Sequence, residues 1–524
     1  MTTFFPRPAY SQEELGRLYP KTLKLQLVQI LLRHGERSPV SARFQNAGLS
    51  PYWPYCNAAR QLSSVVMTTT DWSSWGQLQW RRRLETFGDN DESVLASGPD
   101  GEIDAVCNLG ELTDKGHETT LALGERLRHL YVDQLKYMPK VIGDADMIYL
   151  RSTPMPRALE SVQQSFWGMY PLSARTAAFP PPTIITRTFQ EETLFPNEAN
   201  CRRFSQLSKA FGQRTADRWN ETNEMQYLNS LIQKWMPNNS KVQVDSHPRL
   251  SGIMDTINST LAHGPKTRLP TPFYDKKGRD IIDKIGVEEW FSGFQESDEY
   301  RKVGIGGLAG DIVARMVGSI EKSGNDGFLE IGGEDSALGT GRGGEKGIKF
   351  GMSGCHDTTL AALLASLGCF EGEKWPPYTS HIAFELFKEA QTERESTDRD
   401  RLDEPVTARV AHKQNQGRLS TLFGTGGEEK LSTKVVSRKS TDELTTTERD
   451  KLSGHYVRIR YNDRPMVIPG CKLPGRHLLG DESFCTLEAF KVIVDKFTPK
   501  NWKEACHTNI DGPAFPAEIE RAGL

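Results

Sequence analysis

Apolar residues gather in three short runs that predict buried β-strands, at residues 23–32, 147–150 and 348–353. Runs with so few polar positions are typical of strands that are covered on both faces, as in sheets flanked by helices. Helical periodicity follows the second run at 157–170 and the third at 358–368. Strands that alternate with helices in this way predict an α/β fold with a central sheet.

The remaining helical and strand patterns divide the chain. The α/β core is predicted to be discontinuous, over 20–170 and 345–510, and it includes an amphipathic helix at 113–131. Residues 171–344 are mostly helical in pattern, which predicts an inserted cap domain. The sequence therefore predicts an α/β core, a mixed sheet flanked by helices, with a helical cap.

Two segments of this core depart from regular patterns. Residues 390–454 separate two predicted neighbouring strands, at 381–389 and 455–463, and they are polar and almost free of aromatic residues. Such a segment cannot bury enough surface to fold alone, so we expect a disordered insertion. Residues 41–110 form a loop rich in Trp and Tyr directly after the first strand. A loop at that position lies where the organic part of a substrate would rest.

Composition and charge exclude some classes of partner and compartment. The 524 residues are 37% hydrophobic and 25% charged with a net charge of −3, so no global field favours nucleic acid. No run approaches the length of a membrane span, and residues 1–20 lack a signal-peptide pattern. We therefore expect a cytoplasmic protein with free thiols at its eight cysteines, although a mitochondrial or other organellar location stays open. Cys471, Cys485 and Cys506 nevertheless suggest a disulfide near the carboxyl terminus.

Motifs for metals and nucleotide cofactors give no support for either. The chain has no HExxH or CxxC spacing. Residues 339–344 spell GxGxxG, but they precede a predicted strand, whereas a dinucleotide-binding loop follows one. We interpret them as a flexible linker and expect no metal and no cofactor.

The first candidate functional motif is RHGERSP at 33–39, at the end of the first predicted strand. Ligands of open α/β sheets bind beyond the carboxyl ends of the strands. Arg33 and Arg37 offer planar cations that match phosphate oxygens, and neutral His34 can act as a nucleophile. An isolated RHG could also be a basic strand end whose His caps a carbonyl, so further residues must decide.

Two further motifs follow the other predicted strands. His356 and Asp357 stand at the start of the helix at 358–368, whose amino terminus favours an anion. A carboxylate is repelled by phosphate unless it holds a proton, so Asp357 is a candidate general acid whose pKa a bound dianion would raise. Arg157 opens the helix at 157–170 and is a candidate phosphate ligand.

These three motifs together resemble the histidine acid phosphatases, branch 2 of the histidine phosphatase superfamily, over nearly the whole chain. Its signature combines RHGxRxP with a distant HD. The resemblance implies a phosphoglycerate-mutase-like fold and hydrolysis of small phosphate monoesters through a covalent phosphohistidine, without a cofactor. It implies the following roles: nucleophile His34, general acid Asp357, and phosphate ligands Arg33, Arg37, Arg157 and His356.

Within that family, several segments are most similar to the lysophosphatidic acid phosphatase type 6 subgroup, among them residues 194–201, 374–378 and 468–471. The resemblance thus implies lysophosphatidic acid or similar lipid phosphates as substrates. Pro154 stands where many relatives carry an acidic residue, which bears on substrate preference.

Three alternatives remain. A mutase-like transferase shares RHGE but should carry a second His followed by Gly. A phytase or inositol-phosphate phosphatase shares both motifs and needs a strongly basic pocket. A non-catalytic phospho-ligand binding module is disfavoured because every chemical residue is present. The oligomeric state stays open.

Overall fold

The computed structural model describes residues 2–321, 347–390, 436 and 439–524, and these form a mixed α/β fold. The strands are β1 (Leu23–Arg33), β2 (Leu62–Met67), β3 (Trp75–Trp80), β4 (Glu85–Phe87), β5 (Ser93–Leu95), β6 (Ile148–Ser152), β7 (Ile184–Ile185), β8 (Phe350–Cys355), β9 (His381–Glu389), β10 (His455–Tyr461), β11 (Arg464–Met466), β12 (His477–Leu478) and β13 (Asp481–Thr486).

The helices divide into those that flank the sheet and those that extend beyond it. They are α1 (Gln12–Leu18), α2 (Asp114–Arg128), α3 (Pro156–Met169), α4 (Arg202–Trp219), α5 (Asn223–Ile232), α6 (Leu250–Ala262), α7 (Lys276–Glu296), α8 (Asp298–Arg301), α9 (Gly307–Glu321), α10 (Asp357–Ser366), α11 (Thr446–Asp450), α12 (Leu487–Asp495) and α13 (Trp502–Ala505).

The nine-stranded main sheet is built around β1, and its strand order is β12-β13-β10-β9-β1-β8-β6-β7, with β11 paired to β10. The ladder from β1 through β8 and β6 to β7 is parallel, whereas β9 and β10 are antiparallel to their neighbours. The strands predicted from the three apolar runs, and the neighbouring pair β9 and β10, are confirmed. The mixed sheet also confirms the predicted fold class.

Helices cover both faces of β1, which explains why its sequence is apolar without alternation. Leu27 and Leu31 pack in a cluster with α9 and α10, while Val28, Ile30 and Leu32 pack in a second cluster with α2 and α3. Successive side chains of a strand point to opposite faces, so a strand between two helical layers needs apolar residues at every position.

Helices α4 to α8 form most of the segment predicted as a cap, and α5, α6 and α7 enclose a separate apolar cluster. Two parts of the same segment belong to the sheet layers instead. Strand β7 pairs with β6, and α9 lies against β1, where the Gln29 side chain donates to the Ile312 carbonyl at 3.1 Å. The exact division into domains stays a prediction.

The expected disorder over 390–454 is wrong for its last part. Residues 391–435, 437 and 438 lie outside the described residues, as does the GxGxxG segment at 339–344. From Lys439 onwards the chain packs on α12, where Lys491 donates to the Lys439 carbonyl at 2.7 Å. Leu444 and Leu452 are buried, and they supply the apolar anchors that the average composition of the segment conceals.

The expectation of free thiols is also wrong. Disulfides join Cys56 to Cys107, Cys201 to Cys506, and Cys471 to Cys485. Cys355 and Cys369 are free and buried. The suggested carboxyl-terminal disulfide is therefore present between Cys471 and Cys485, but Cys506 pairs with a distant residue of the helical segment, a contact that sequence spacing cannot reveal.

One stretch of the described residues, Asp298–Glu321, is long and apolar enough to cross a membrane, with a mean hydropathy of 1.4. It comprises α8, α9 and the turn between them, and 78% of its most apolar window is buried inside the protein. A helix that packs against β1 is apolar for that reason alone, so this finding is weak evidence for a span.

Candidate active site

All six candidate site residues lie at one edge of the sheet, beyond the carboxyl ends of three parallel strands. Arg33 is level with Cys355 in the ladder between β1 and β8, and Ser152 of β6 is level with Gly354. Because the strands run in the same direction and end together, the residues that follow them converge. The ring centroids of His34 and His356 are 5.5 Å apart.

The turn after β1 is held by the start of α2. A Cβ atom on Gly35 would lie 2.4 Å from the Gly116 carbonyl oxygen, so no larger residue fits at this crossing. The Thr113 hydroxyl donates to the Glu36 carbonyl at 3.1 Å, and the buried Glu36 carboxyl accepts from Thr119 at 2.5 Å. The helix at 113–131 therefore positions the loop that carries His34 and Arg37.

His34 is oriented as a neutral nucleophile. Its Nδ1 lies 2.8 Å from the Gly35 carbonyl oxygen. A carbonyl can only accept, so Nδ1 carries the proton and Nε2 keeps its lone pair. Burial, and then the charges of Arg157, Arg33 and Arg37, hold the pKa of His34 well below its usual value. The imidazole thus stays unprotonated even in acid.

Arg33 and Arg37 each face a carboxylate. Arg33 pairs with Asp357 at 2.7 Å, and its guanidinium carbon lies 4.1 Å from the centre of the Tyr378 ring. Arg37 pairs with Asp255 at 2.8 Å. Both guanidiniums are buried and each keeps an Nε without a hydrogen-bond partner. Their charge is compensated, but their hydrogen-bonding capacity is not exhausted.

Arg157 differs because it makes no ion pair with any residue that the structure describes. Its nearest polar contacts are the Gly110 carbonyl at 3.5 Å and the Met155 sulfur at 3.2 Å, and its Nε has no partner. Burial, and then repulsion from Arg37, lower the pKa of Arg157 to about 10. A buried cation without a counter-charge is costly, and a bound anion would relieve that cost.

His356 completes the set from the side of β8. Its Nε2 lies 3.1 Å from the Thr153 hydroxyl. Burial and the charge of Arg157 lower its pKa. His356 can therefore offer a hydrogen bond to an anion without adding another full charge.

Asp357 is ionised in the protein alone. Its carboxylate accepts from Arg33 at 2.7 Å, from the Trp375 indole at 2.9 Å and from the Thr358 amide at 2.8 Å. Burial opposes this ionisation, but the Arg33 charge and the Trp375 hydrogen bond outweigh it and lower the pKa of Asp357. The predicted rise concerns the complex with a phosphate dianion, so that rise and the acid role stay predictions.

The motifs did not identify the residues that shape the space around these groups. A cavity of about 440 Å³ opens beside Arg33 and Arg37 and is lined further by Arg43, Arg249, Met254, Asp255, Trp290, Trp375 and Tyr378, among others. Asp255, Trp290 and Arg249 belong to the helical segment and carry no sequence motif. Trp375 and Tyr378 lie within the subgroup-like segment 374–378, which was the only signal for them.

No group of three or more His, Cys, Asp or Glu side chains that could hold a metal ion occurs within residues 2–321, 347–390, 436 and 439–524. The metal-free and cofactor-free site stays a prediction.

Comparisons with known proteins agree with this geometry. The family model of the histidine phosphatase superfamily (branch 2) matches residues 24–402. A probable acid phosphatase of Schizosaccharomyces pombe is 34% identical over 495 residues, which cover 93% of this chain and 95% of that protein. The lysophosphatidic acid phosphatase type 6 of Homo sapiens is 22% identical over 389 residues, which cover 71% and 75%.

A solved structure shows the same fold. The Hafnia alvei phytase, without ligand, superposes with a TM-score of 0.51 at 12% identity, covering 93% of this chain and 99% of that one. The family resemblance drawn from the three motifs is confirmed.

We expect Arg157→Gln to weaken the binding of inorganic phosphate at least about tenfold, because the variant loses the one uncompensated cation of the cluster. Thermal stability should not fall, since no carboxylate loses its partner. Calorimetric titration with phosphate and a thermal melt measure the two effects.

The matched control is Arg151→Gln, another buried arginine, which pairs with Glu192 at 2.6 Å. This variant should lower the melting temperature because it leaves a buried carboxylate unpaired. It should bind phosphate as the unaltered protein does. Unchanged phosphate affinity in Arg157→Gln would contradict the assignment.

Proposed function

Because the chain belongs to branch 2 of the histidine phosphatase superfamily and is an acid phosphatase, we propose that it hydrolyses phosphate monoesters through a phosphohistidine at His34. We further propose that its preferred substrates carry an apolar group, as lysophosphatidic acid does. The observation that carries the first proposal is the neutral His34, with its Nε2 lone pair free, among the guanidiniums of Arg33, Arg37 and Arg157.

In the first step, Nε2 of His34 attacks phosphorus while the bond from phosphorus to the ester oxygen breaks. Arg33, Arg37, Arg157 and His356 hold the equatorial oxygens, where charge is greatest in the transition state. The departing alkoxide takes a proton from Asp357. Proton transfer of this kind contributes typically about 10²- to 10⁴-fold when the leaving oxygen is basic.

In the second step, a water molecule attacks the phosphorus of the phosphohistidine, and the bond from phosphorus to Nε2 breaks. Asp357, now ionised, takes the proton of the water and is ready for the next substrate. Inorganic phosphate leaves, and His34 is again neutral.

The protonation states favour an acidic optimum. Asp357 is ionised in the protein alone, so the proton that the first step needs must arrive with the substrate or from acidic solvent. A phosphate monoester loses its second proton near pH 6, and below that pH it brings this proton as a monoanion. His34 stays unprotonated there because its pKa is lowered by burial and by the arginines. Turnover should therefore fall as the pH rises.

Charge compensation in the cavity favours an ester with a single phosphate. Beyond the three guanidiniums of the motifs, Arg43 lies 3.4 Å from Asp255, and Arg249 pairs with Glu289 at 2.5 Å. A polyanion such as phytate needs several cations that are not already paired. We therefore rank an inositol-phosphate phosphatase second, although the phytase fold is similar.

Aromatic and apolar walls favour a lipid-like leaving group. Trp290 lies between the first cavity and a second one of about 540 Å³ in the helical segment. The second cavity is lined in part by Phe204, Phe291, Phe294 and Tyr300. An acyl chain that extends from the phosphate site past Trp290 would bury apolar surface in both cavities.

The compartment is also a matter of proposal. The cytoplasmic prediction is untested, and its premise of free thiols does not hold. Three disulfides favour an oxidising compartment.

We expect kcat/KM for monomeric lysophosphatidic acid to exceed that for glycerol 3-phosphate at least about tenfold, because only the former buries an acyl chain. Glycerol 3-phosphate is the matched control, since it presents the same phosphoglycerol group. Trp290→Ala should narrow this ratio and leave glycerol 3-phosphate turnover unchanged. A higher kcat/KM for phytate than for either ester would replace the lipid proposal with the phytase alternative.

We expect Asp357→Asn to reduce turnover of alkyl phosphates at least about 100-fold and that of p-nitrophenyl phosphate far less, because nitrophenolate leaves without a proton. The arginines hold both substrates alike, so a defect in binding would reduce both rates equally. Measuring kcat/KM for the two esters from pH 4 to 8 separates these cases. Equal losses would remove the acid role from Asp357.

A further inference from the structure

A two-stranded hairpin extends from the fold apart from the main sheet. Strands β2 and β3 pair in register from Leu62 opposite Trp80 to Met67 opposite Trp75, and they form a separate two-stranded sheet. We call residues 62–80 the arm. An isolated hairpin of this kind is only marginally stable in water, so its amino acid composition indicates which environment it suits.

Both faces of the arm expose large apolar side chains. On one face Leu62, Leu78 and Trp80 are 46%, 46% and 47% exposed. On the other face Val65, Met67 and Trp75 are 63%, 42% and 52% exposed, and Trp72 in the connecting turn is 80% exposed. Monomers that remain free in water rarely expose so many contiguous apolar groups.

Charge is almost absent from the arm and concentrated at its base. Residues 61–80 contain one charged side chain, Asp71, whose carboxylate accepts from the Ser73 amide and hydroxyl. At the base, a hydrogen bond from Arg83 and the charges of Arg60 and Arg81 lower the pKa of Asp104. Three guanidiniums thus share one carboxylate, which leaves an excess of positive charge where the arm joins the body.

The base of the arm is attached firmly to the loop that carries the catalytic motif. Cys56 and Cys107 are joined by a disulfide, with their Cα atoms 5.1 Å apart. The Ser38 hydroxyl, next to Arg37, donates to the Asn108 carbonyl at 2.6 Å. The arm is therefore mounted next to the strand end that carries His34 and not on a long free linker.

We propose that the arm inserts into the interfacial layer of a membrane that contains anionic lipids. Tryptophan is enriched at membrane interfaces, where its ring is buried and its N–H meets polar groups. The arginines at the base lie where lipid phosphates would meet them, and each basic residue near such a surface adds about 1 kcal/mol of attraction.

A lipid layer suits the arm better than a second copy of the chain. Acyl chains and headgroups surround an inserted element, so they cover both of its apolar faces. A second hairpin packed face to face would cover one face and leave the other in water. The proposal does not depend on which ester the site hydrolyses.

Vesicle flotation tests the proposal on the full chain. The vesicles contain phosphatidylcholine, with or without 30% phosphatidylglycerol; both lipids are phosphodiesters, so the site for monoesters does not retain the protein. We expect the protein to float with the anionic vesicles, less so at high salt, and its tryptophan emission to shift to shorter wavelength on binding.

The arm variant Val65→Ser/Trp72→Ser/Trp75→Ser should lower the partition coefficient at least about tenfold. The matched control is Leu172→Ser/Leu479→Ser/Ile519→Ser, which removes side chains that are 68%, 100% and 66% exposed elsewhere. The control should float normally. Both variants should hydrolyse p-nitrophenyl phosphate at the unaltered rate, which shows that the fold and site are intact.

Three results would overturn the proposal. The unaltered protein does not float with anionic vesicles, or the arm variant floats as well as the control does. The third is a dimer in solution that becomes a monomer in the arm variant alone, which would assign the arm to a second copy of the chain.

Discussion

Uncompensated positive charge around a buried, neutral histidine is the constraint on which this site depends. Three guanidiniums converge beside His34, and only two of them face a carboxylate. The remaining charge of Arg157 prepares the site for one phosphate, and the same cations keep His34 from taking a proton. An acid phosphatase with a histidine nucleophile needs both effects, because its substrate is handled in a medium that would otherwise protonate the imidazole.

The fold supplies this arrangement through the register of three parallel strands and the close crossing of α2 beneath the first loop. Gly35 and Gly116 allow backbones to approach where any Cβ atom would collide. The helical segment then adds Asp255, Trp290 and Arg249, which set the shape and charge of the cavity beyond the phosphate. Phosphate chemistry thus belongs to the sheet edge, and the choice of leaving group belongs to the helical segment.

The sequence predicted the sheet edge well because its signals are local. A buried strand is apolar over consecutive residues, and RHGERSP, Arg157 and His356-Asp357 each directly follow or closely flank such a strand. The partners of these residues could not be predicted, since Asp255 lies on an ordinary amphipathic helix and meets Arg37 only through tertiary packing. The disulfide of Cys201 with Cys506 spans 305 residues, and the packed segment after Lys439 was hidden by a polar average over its neighbours.

The most direct test of the central claim is rapid quenching with a ³²P-labelled monoester at pH 5, followed by location of the label. The account predicts an acid-labile, base-stable phosphoenzyme with phosphorus on Nε2 of His34, since Nδ1 is engaged by the Gly35 carbonyl. His34→Ala should yield none while remaining folded. A wild-type protein that turns over without such an intermediate, or that carries phosphate on Nδ1 or on another residue, would contradict the account.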